Sequence, residues 1–402
     1  MTMIESAIAR KILDSRGNPT VEVEIFTTSG YGTAAAPSGA STGEHEVQSF
    51  PENGGLEASM RAFSDDVIPQ ILGFDAAEQR ALDKLLHQID GTPNFSKIGG
   101  NLAVAISLAA AKAAASSYQL PLYQYVGGNM VKGFPRPLGN VIGGGRHAIG
   151  GTDIQEFLVI SMADNAADCV FGNARTHKIV SQLLKEKLPG HAIGKGDEGA
   201  WVAALSNEDA LALHREACDR ASSELGFKVH PCLDMAASEY FRDGKYHYKD
   251  KSFTPEQHVD FVAGIIDEYS LHLVEDPMDQ NDYDGYAALT QAVGDRCIIV
   301  GDDLFVTNKE RLSKGIEMGA ANSILIKPNQ IGTLTDTVET VELAGKNGYS
   351  TVISHRSGET TDNSIAHLGV AFGSYAIKTG VVGGERTAKL NELIRIQEDL
   401  EG

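Results

Sequence analysis

Between Cys297 and Gly380 the chain passes through four short apolar runs, each closing on charged or polar residues. Ile298-Ile299-Val300-Gly301 leads into Asp302-Asp303, and Ser323-Ile324-Leu325-Ile326 into Lys327. Thr351-Val352-Ile353 leads into Ser354-His355-Arg356-Ser357, and Tyr375-Ala376-Ile377 into Lys378-Thr379-Gly380. Apolar runs this short, bounded by turn residues, read as buried parallel strands. Helix-like segments separate them, so the unit repeats about every 25 residues, near the ~30 of a barrel βα unit. Two earlier runs end the same way: His230-Pro231-Cys232-Leu233-Asp234 and His272-Leu273-Val274-Glu275-Asp276. Thr254-Pro255-Glu256-Gln257 is a helix start, with an N-cap, a proline and a capping-box glutamine. Residues 161–225 show no clear strand pattern.

The N-terminal third reads differently. Thr20-Val21-Glu22-Val23-Glu24-Ile25 alternates as a half-buried antiparallel strand does, after a turn at Asp14–Pro19. Segments 55–72, 76–90 and 100–118 have helical spacing, and the last is apolar all round, which predicts a buried core helix. Between strands and helices, Pro37 to Glu44 is small-residue loop of the kind that forms lids. Glycines and prolines from Gly127 to Pro137 mark a linker. The expected fold is α/β, with an N-terminal α+β capping domain (1–130) carrying the lid and a C-terminal (β/α)8-type barrel (131–402).

A length of 402 residues suits one barrel plus a second domain. The net charge of −20 argues against nucleic acid or an anionic membrane as partner, so an anionic substrate needs a local cluster of cations. Cys169, Cys218, Cys232 and Cys297 form no CxxC pair and fit a reducing compartment. The chain opens without a signal-peptide pattern, and its most apolar stretch, Leu102 to Ala111, is too short to span a bilayer. A cytoplasmic location follows as the expectation.

Charged residues at the C-terminal ends of barrel strands read as catalytic. Asp234, Glu275 and Asp302 end three successive strands, where three carboxylates can share one Mg²⁺; each alone would also serve as an N-cap. Lys327 and Lys378 come next along the rim. A lysine beside a second cation has its pKa lowered and becomes a general base, the alternative being a solvated lysine or a structural ion pair. His355-Arg356-Ser357 offers a fork and a hydroxyl for a phosphate. Glu156 and Glu198 are candidates for proton work, one acid raising the pKa of the other. His147 lies in a glycine-rich loop that lacks the context of a dinucleotide site. Together these residues point to Mg²⁺-assisted removal of a proton alpha to a carboxylate in a phosphorylated small acid.

Several long motifs resemble those of the enolase family: Leu13 to Glu22, Pro37 to Gly43, Gly196 to Gly199, Val300 to Leu304, Lys327 to Thr333 and Ser354 to Thr360. The similarity covers nearly the whole chain, and the family's use of a Lys base with Mg²⁺ is a known scheme. It implies reversible dehydration of 2-phospho-D-glycerate to phosphoenolpyruvate, with Lys327 as base and Glu198 as the acid that helps hydroxide leave. Glu156 and Lys378 would support them. Asp234, Glu275 and Asp302 would hold the first Mg²⁺, and Ser41, on the lid, a second that arrives with substrate. Arg356 and Ser357 would hold the phosphate, with His147, Gln155 and His355 closing over the substrate. The resemblance also implies a homo-oligomer, dimer or octamer. A presence at the cell surface is compatible with activity.

The chain departs from the family's usual pattern at Ala200-Trp201-Val202-Ala203, in the short segment Phe50–Gly54, and at Val381–Gly384 ahead of Glu385-Arg386. Two other readings compete. One is a superfamily relative acting on an unphosphorylated acid, although such enzymes place Lys-x-Lys where this chain has Gln155-Glu156. The other is a silent paralogue kept for binding, although no ligand or base is missing here.

Overall fold

The run of small and aliphatic residues from Gly100 to Ser117 forms one 18-residue helix whose side chains are almost all buried. No face of such a helix can be left to water, so the N-terminal part of the chain wraps around it. Three strands, Ile4–Leu13, Pro19–Thr27 and Tyr31–Ala35, form an antiparallel sheet laid against it. The approach is close: a Cβ on Gly32 would lie 2.1 Å from the Ala109 carbonyl oxygen. The computed structural model describes residues 1–40, 42–148 and 151–402, with His147 described in its backbone only. Ser41 and the His147 side chain, two of the expected site groups, therefore lie outside the described residues.

Two further helical segments belong to this part of the chain. The expected helix 55–72 is Gly55–Ala62 and Ile68–Ile71 joined by a widened turn at Phe63–Val67. Pro69 has no N–H to donate to the preceding turn, which accounts for the break in the regular ladder. The second helix runs from Gln79 to Asp90, later than the apolar pattern from residue 76 suggests.

Beyond Arg136 the chain closes a barrel. Among the described residues its strands are Arg136–Gly143, Glu156–Ser161, Val229–Asp234, Leu273–Glu275, Ile298–Gly301, Ser323–Ile326, Ser350–Ser354 and Ala376–Lys378, and the last pairs with the first. The interior is filled by Leu138, Leu158, Ile160, Cys232, Leu273, Val300, Leu325, Val352 and Ala376, all fully buried. The capping box at Thr254 is present, with both of its reciprocal hydrogen bonds.

One strand differs from the all-parallel expectation. Glu156–Ser161 runs antiparallel to both of its neighbours. Among its described residues the connection from Gly143 to Glu156 holds one short 3-10 turn, Gly145–His147, in place of the crossover helix that a parallel pair usually carries. The helical layer is recovered afterwards by two successive helices, Ala166–Lys187 and Asn207–Leu225, with only a small hairpin between them. That helix–helix step is why residues 161–225 give no strand–helix rhythm.

The N-terminal part docks on the barrel's rim by polar as well as apolar contacts. Lys112 Nζ donates to Asp362 at 2.8 Å, and Leu334 N donates to Ser107 Oγ at 2.9 Å. All four cysteines are free and buried. Among the described residues no helix is long and apolar enough to cross a membrane.

Candidate functional site

Strand register brings the acids together. Glu156, Asp234 and Glu275 are direct neighbours across three adjacent strands, and Asp302 follows the next strand at Gly301. Because its strand runs the other way, Glu156 reaches this rim as a strand's first residue and not its last. Four carboxylates from four strands thus share one end of the barrel, each 7% exposed or less.

Two lysines stand among them. Lys378 Nζ lies 2.6 Å from Glu275, 2.9 Å from Asp234 and 3.4 Å from Glu156. Lys327, directly after strand Ser323–Ile326, donates a short hydrogen bond to Asp302 Oδ2, while Gln330 Nε2 donates to Asp302 Oδ1 at 2.9 Å. Gln155 Nε2 donates to Asp234 at 3.3 Å. A pocket lined by Glu156, Glu198, Asp234, Lys327, Arg356 and Lys378 opens between these groups.

Charge balance sets the protonation. Burial and the neighbouring Asp234 push Glu275 well above the usual carboxylate range, against the pull of Lys378. Burial also raises Asp302, but Lys327 and Lys378 outweigh it and hold Asp302 below its ordinary value. The lysines run opposite to the sequence expectation. Burial lowers Lys327, yet Asp302 and Glu275 outweigh burial and the cations Arg356 and Lys378, so its pKa is raised. Burial lowers Lys378 too, but Asp234, Glu156 and Glu275 outweigh it and raise it further. A second cation does depress Lys327, but the carboxylates facing it dominate. Only when their charge is engaged elsewhere do Lys378 and Arg356 remain as its neighbours.

The donor set suits a hard divalent cation. Asp234, Glu275 and Asp302 offer carboxylate oxygens, and Glu275 Oε1 is buried with no hydrogen-bond partner among the described residues. A second grouping, Asp276, Asp302 and Asp303, places ligand oxygens within 4.8 Å of one another. Asp276 is already engaged, however. Its Oδ1 accepts from Asp302 N at 2.8 Å and Tyr286 Oη at 2.7 Å, and its Oδ2 accepts from Asp303 N at 2.9 Å. Asp276 therefore orients the turn that carries Asp302. The turn is strained: Asp276 has φ +42°, and Ala236, in the turn after Asp234, has φ +46°.

On the far side of the pocket Arg356, Ser357 and His355 follow strand Ser350–Ser354. The Arg356 guanidinium forms a two-point pair with Glu46, both bonds 3.0 Å, and donates to Asn329 Oδ1 at 3.0 Å. Gly43 N donates to the same Glu46 carboxylate at 3.0 Å, which ties the loop to the arginine. Ser357 Oγ accepts from Ala40 N at 2.6 Å, and Ser38 and Gly358 exchange backbone hydrogen bonds. Ser38, Ala40 and Gly43 are thus hydrogen-bonded to the turn that carries the residues expected to take a phosphate, or to their partner Glu46.

Glu198 sits at the tip of the small hairpin, 3.4 Å from His355 Nε2, with Asn140 Nδ2 donating to it at 3.2 Å. Trp201, where the sequence departs from the family pattern, anchors that hairpin. Its ring stacks on His177 at 5.0 Å, and its indole N–H donates to the His177 carbonyl at 2.8 Å. Two glycines make room here. Gly199 has φ +75°, and a Cβ on Gly380 would lie 2.3 Å from the Glu198 carbonyl oxygen.

The structure brings Glu156, Glu198, Gln155, Asp234, Glu275, Asp302, Lys327, His355, Arg356, Ser357 and Lys378 to one rim. Sequence reading passed over Glu46, Asp276, Asn329, Gln330 and Arg386 as site residues. Asp276 and Gln330 lie inside or beside the motifs already read. Glu46 and Arg386 carry no local signal beyond charge.

Two family models match the chain: "Enolase, N-terminal domain" over residues 4–126 and "Enolase, C-terminal TIM barrel domain" over residues 131–402. A protein named Enolase from Methanothermobacter thermautotrophicus is 54% identical over 405 residues, covering 99% of this chain and 97% of that protein. An Enolase from Halorubrum lacusprofundi is 53% identical over 404 residues, covering 99% of this chain and 100% of its own length. An Enolase from Thermoplasma acidophilum is 47% identical over 397 residues, covering 99% and 98%.

Proposed function

The chain belongs to the enolase family and is a glycolytic hydro-lyase dehydrating 2-phospho-D-glycerate to phosphoenolpyruvate, and from that premise we propose how its side chains divide the work. The supporting observation is the convergence of Glu156, Asp234 and Glu275 on Lys378, with Lys327 bonded to Asp302 beside them.

Enolases use Mg²⁺. Asp234, Glu275 and Asp302 would hold the first ion, and Ser41 a second that comes with substrate. A metal held there would supply positive charge beside the substrate carboxylate, where charge builds as the alpha proton leaves. Lys327 Nζ takes that proton, and the released electron pair is delocalised into the carboxylate. It then returns to form the C=C bond as the C3–O bond breaks, and Glu198, supported by Glu156, gives the departing hydroxide its proton. Arg356 and Ser357 hold the phosphate, with Lys378, His147, Gln155 and His355 completing the enclosure. Lys378 keeps the acids from repelling one another before loading.

Residues 1–130 serve as the capping domain that delivers the lid, and residues 131–402 as the catalytic barrel. The working form is a cytoplasmic homo-oligomer. The test is the growth of phosphoenolpyruvate absorbance from 2-phosphoglycerate and Mg²⁺, repeated with EDTA. Activity that chelation abolishes is expected, and activity indifferent to EDTA overturns the metal assignment.

A further inference from the structure

We propose that Arg386 is a positioning residue that fixes His355 as the neutral tautomer with its proton on Nε2, so that this nitrogen stands as a hydrogen-bond donor toward Glu198 and the leaving oxygen. The inference rests on the enolase reading for its use of Glu198. Its geometry does not depend on that reading.

His355 is 2% exposed. Its Nδ1 faces two groups: Arg386 Nη1 at 2.7 Å and Gly380 N at 3.4 Å. A guanidinium and a backbone amide are both donors with no acceptor at nitrogen. Nδ1 must therefore present its lone pair, and a neutral ring then carries its proton on Nε2. That nitrogen lies 3.4 Å from Glu198 Oε1 without making a hydrogen bond to it, and it has no hydrogen-bond partner among the described residues. His355 and Glu198 line the same pocket, so an Nε2–H there has capacity left for a substrate oxygen.

The charged form of the ring is disfavoured as well. The charged groups bearing on His355 are Glu198 and Glu359 on one side of the balance and Arg386 on the other. Burial leads, Arg386 adds to it, and the two acids do not offset them, so the pKa is lowered to about 4. At neutral pH the ring is uncharged and its tautomer is the only variable left.

Arg386 itself has no freedom. It is fully buried, with Nη1 also donating to the Arg356 carbonyl at 2.5 Å and Nη2 to the Ser357 carbonyl at 2.6 Å. Glu385 lies 3.2 Å from its Nε. One side chain on the last helix thus holds the backbone of the phosphate-binding turn and the histidine's orientation together. No substrate group needs to reach it.

The decisive measurement is the tautomer of His355 in the intact protein, read from nitrogen-15 NMR of histidine-labelled enzyme, with His355→Gln used to assign the signal. An Nε2–H ring between pH 6 and 8 is expected in the wild-type protein. An Nδ1–H ring, or an imidazolium, overturns the proposal, and this arm needs no Arg386 variant to fold. In Arg386→Met the ring is expected to lose its single tautomer, and kcat to fall about 10²-fold with KM changed by less than about threefold. Arg386→Lys keeps a donor facing Nδ1 and is expected to restore the Nε2–H signal. An Arg386→Met enzyme that keeps a pure Nε2–H ring would assign the arginine a structural role only. If the wild-type protein shows the expected tautomer but does not dehydrate 2-phosphoglycerate, the functional reading fails while the geometry stands.

Discussion

Replacing Lys378 with methionine separates the two ways in which the acidic rim can be neutralised. One ammonium lies within 3.4 Å of Glu156, Asp234 and Glu275. Methionine keeps roughly the volume and removes the charge. Removing one partner of a buried ion pair costs about 3–5 kcal/mol. Part of that is relieved here, because Glu275 already sits well above the usual carboxylate range and takes up a proton readily. A loss of about 2–4 kcal/mol is therefore expected in EDTA, read from the urea midpoint at constant slope. A divalent cation on the same acids stabilises the folded state by about 2.7 kcal/mol at a hundredfold excess over its Kd. It stabilises the variant more than the wild type, since no ammonium competes for the oxygens. The gap between the two proteins should then narrow by at least about 1 kcal/mol in magnesium. An equal gap with and without magnesium would mean that the metal and Lys378 do not share these carboxylates.

Three further outcomes follow from particular contacts. Lys327→Ala should abolish exchange of the substrate's alpha proton with solvent while substrate still binds; retained exchange moves the base elsewhere. Gly380→Ala forces a methyl group against the Glu198 carbonyl, 2.3 Å away, and should lower kcat more than it raises KM, with about 1–3 kcal/mol lost in stability. An unchanged kcat would mean that the Glu198 loop is not held there. Lys112→Met tests the bond between the N-terminal helix and the barrel. Burial raises Asp362, but Lys112 outweighs it and brings the pKa from 3.8 to about 2. A depressed carboxylate contributes stability above its unfolded pKa and loses it as pH falls through its folded value. The variant should therefore be less stable by about 2 kcal/mol at pH 7, and the difference should shrink between about pH 4 and pH 2. A difference independent of pH would assign the effect to packing.

Six of the eight barrel strands were legible because each closes on a charged or polar residue, as at Ile326-Lys327 and Gly301-Asp302. The one reversed strand was not. Glu156–Ser161 reads the same in either direction, and a 12-residue link before it allows either pairing. The identity of the rim residues followed from motif and position. Their protonation did not, because the state of Lys327 depends on how many carboxylates other strands bring to it. Arg386 was visible only as half of a Glu-Arg pair on the last helix. Its role depends on a histidine 31 positions earlier, a contact that local patterning does not encode. Trp201 looked like a departure from the family pattern, and in the fold it anchors the Glu198 hairpin by stacking on His177.

The most direct test of the metal-centred reading is anomalous diffraction from crystals soaked with Mn²⁺ in place of Mg²⁺, together with 2-phosphoglycerate. An ion bonded to Asp234, Glu275 and Asp302, with Lys327 released from Asp302 and facing the alpha carbon, is the expected result. An ion seated instead on Asp276, Asp302 and Asp303, with Lys378 still paired to Glu275, would contradict it.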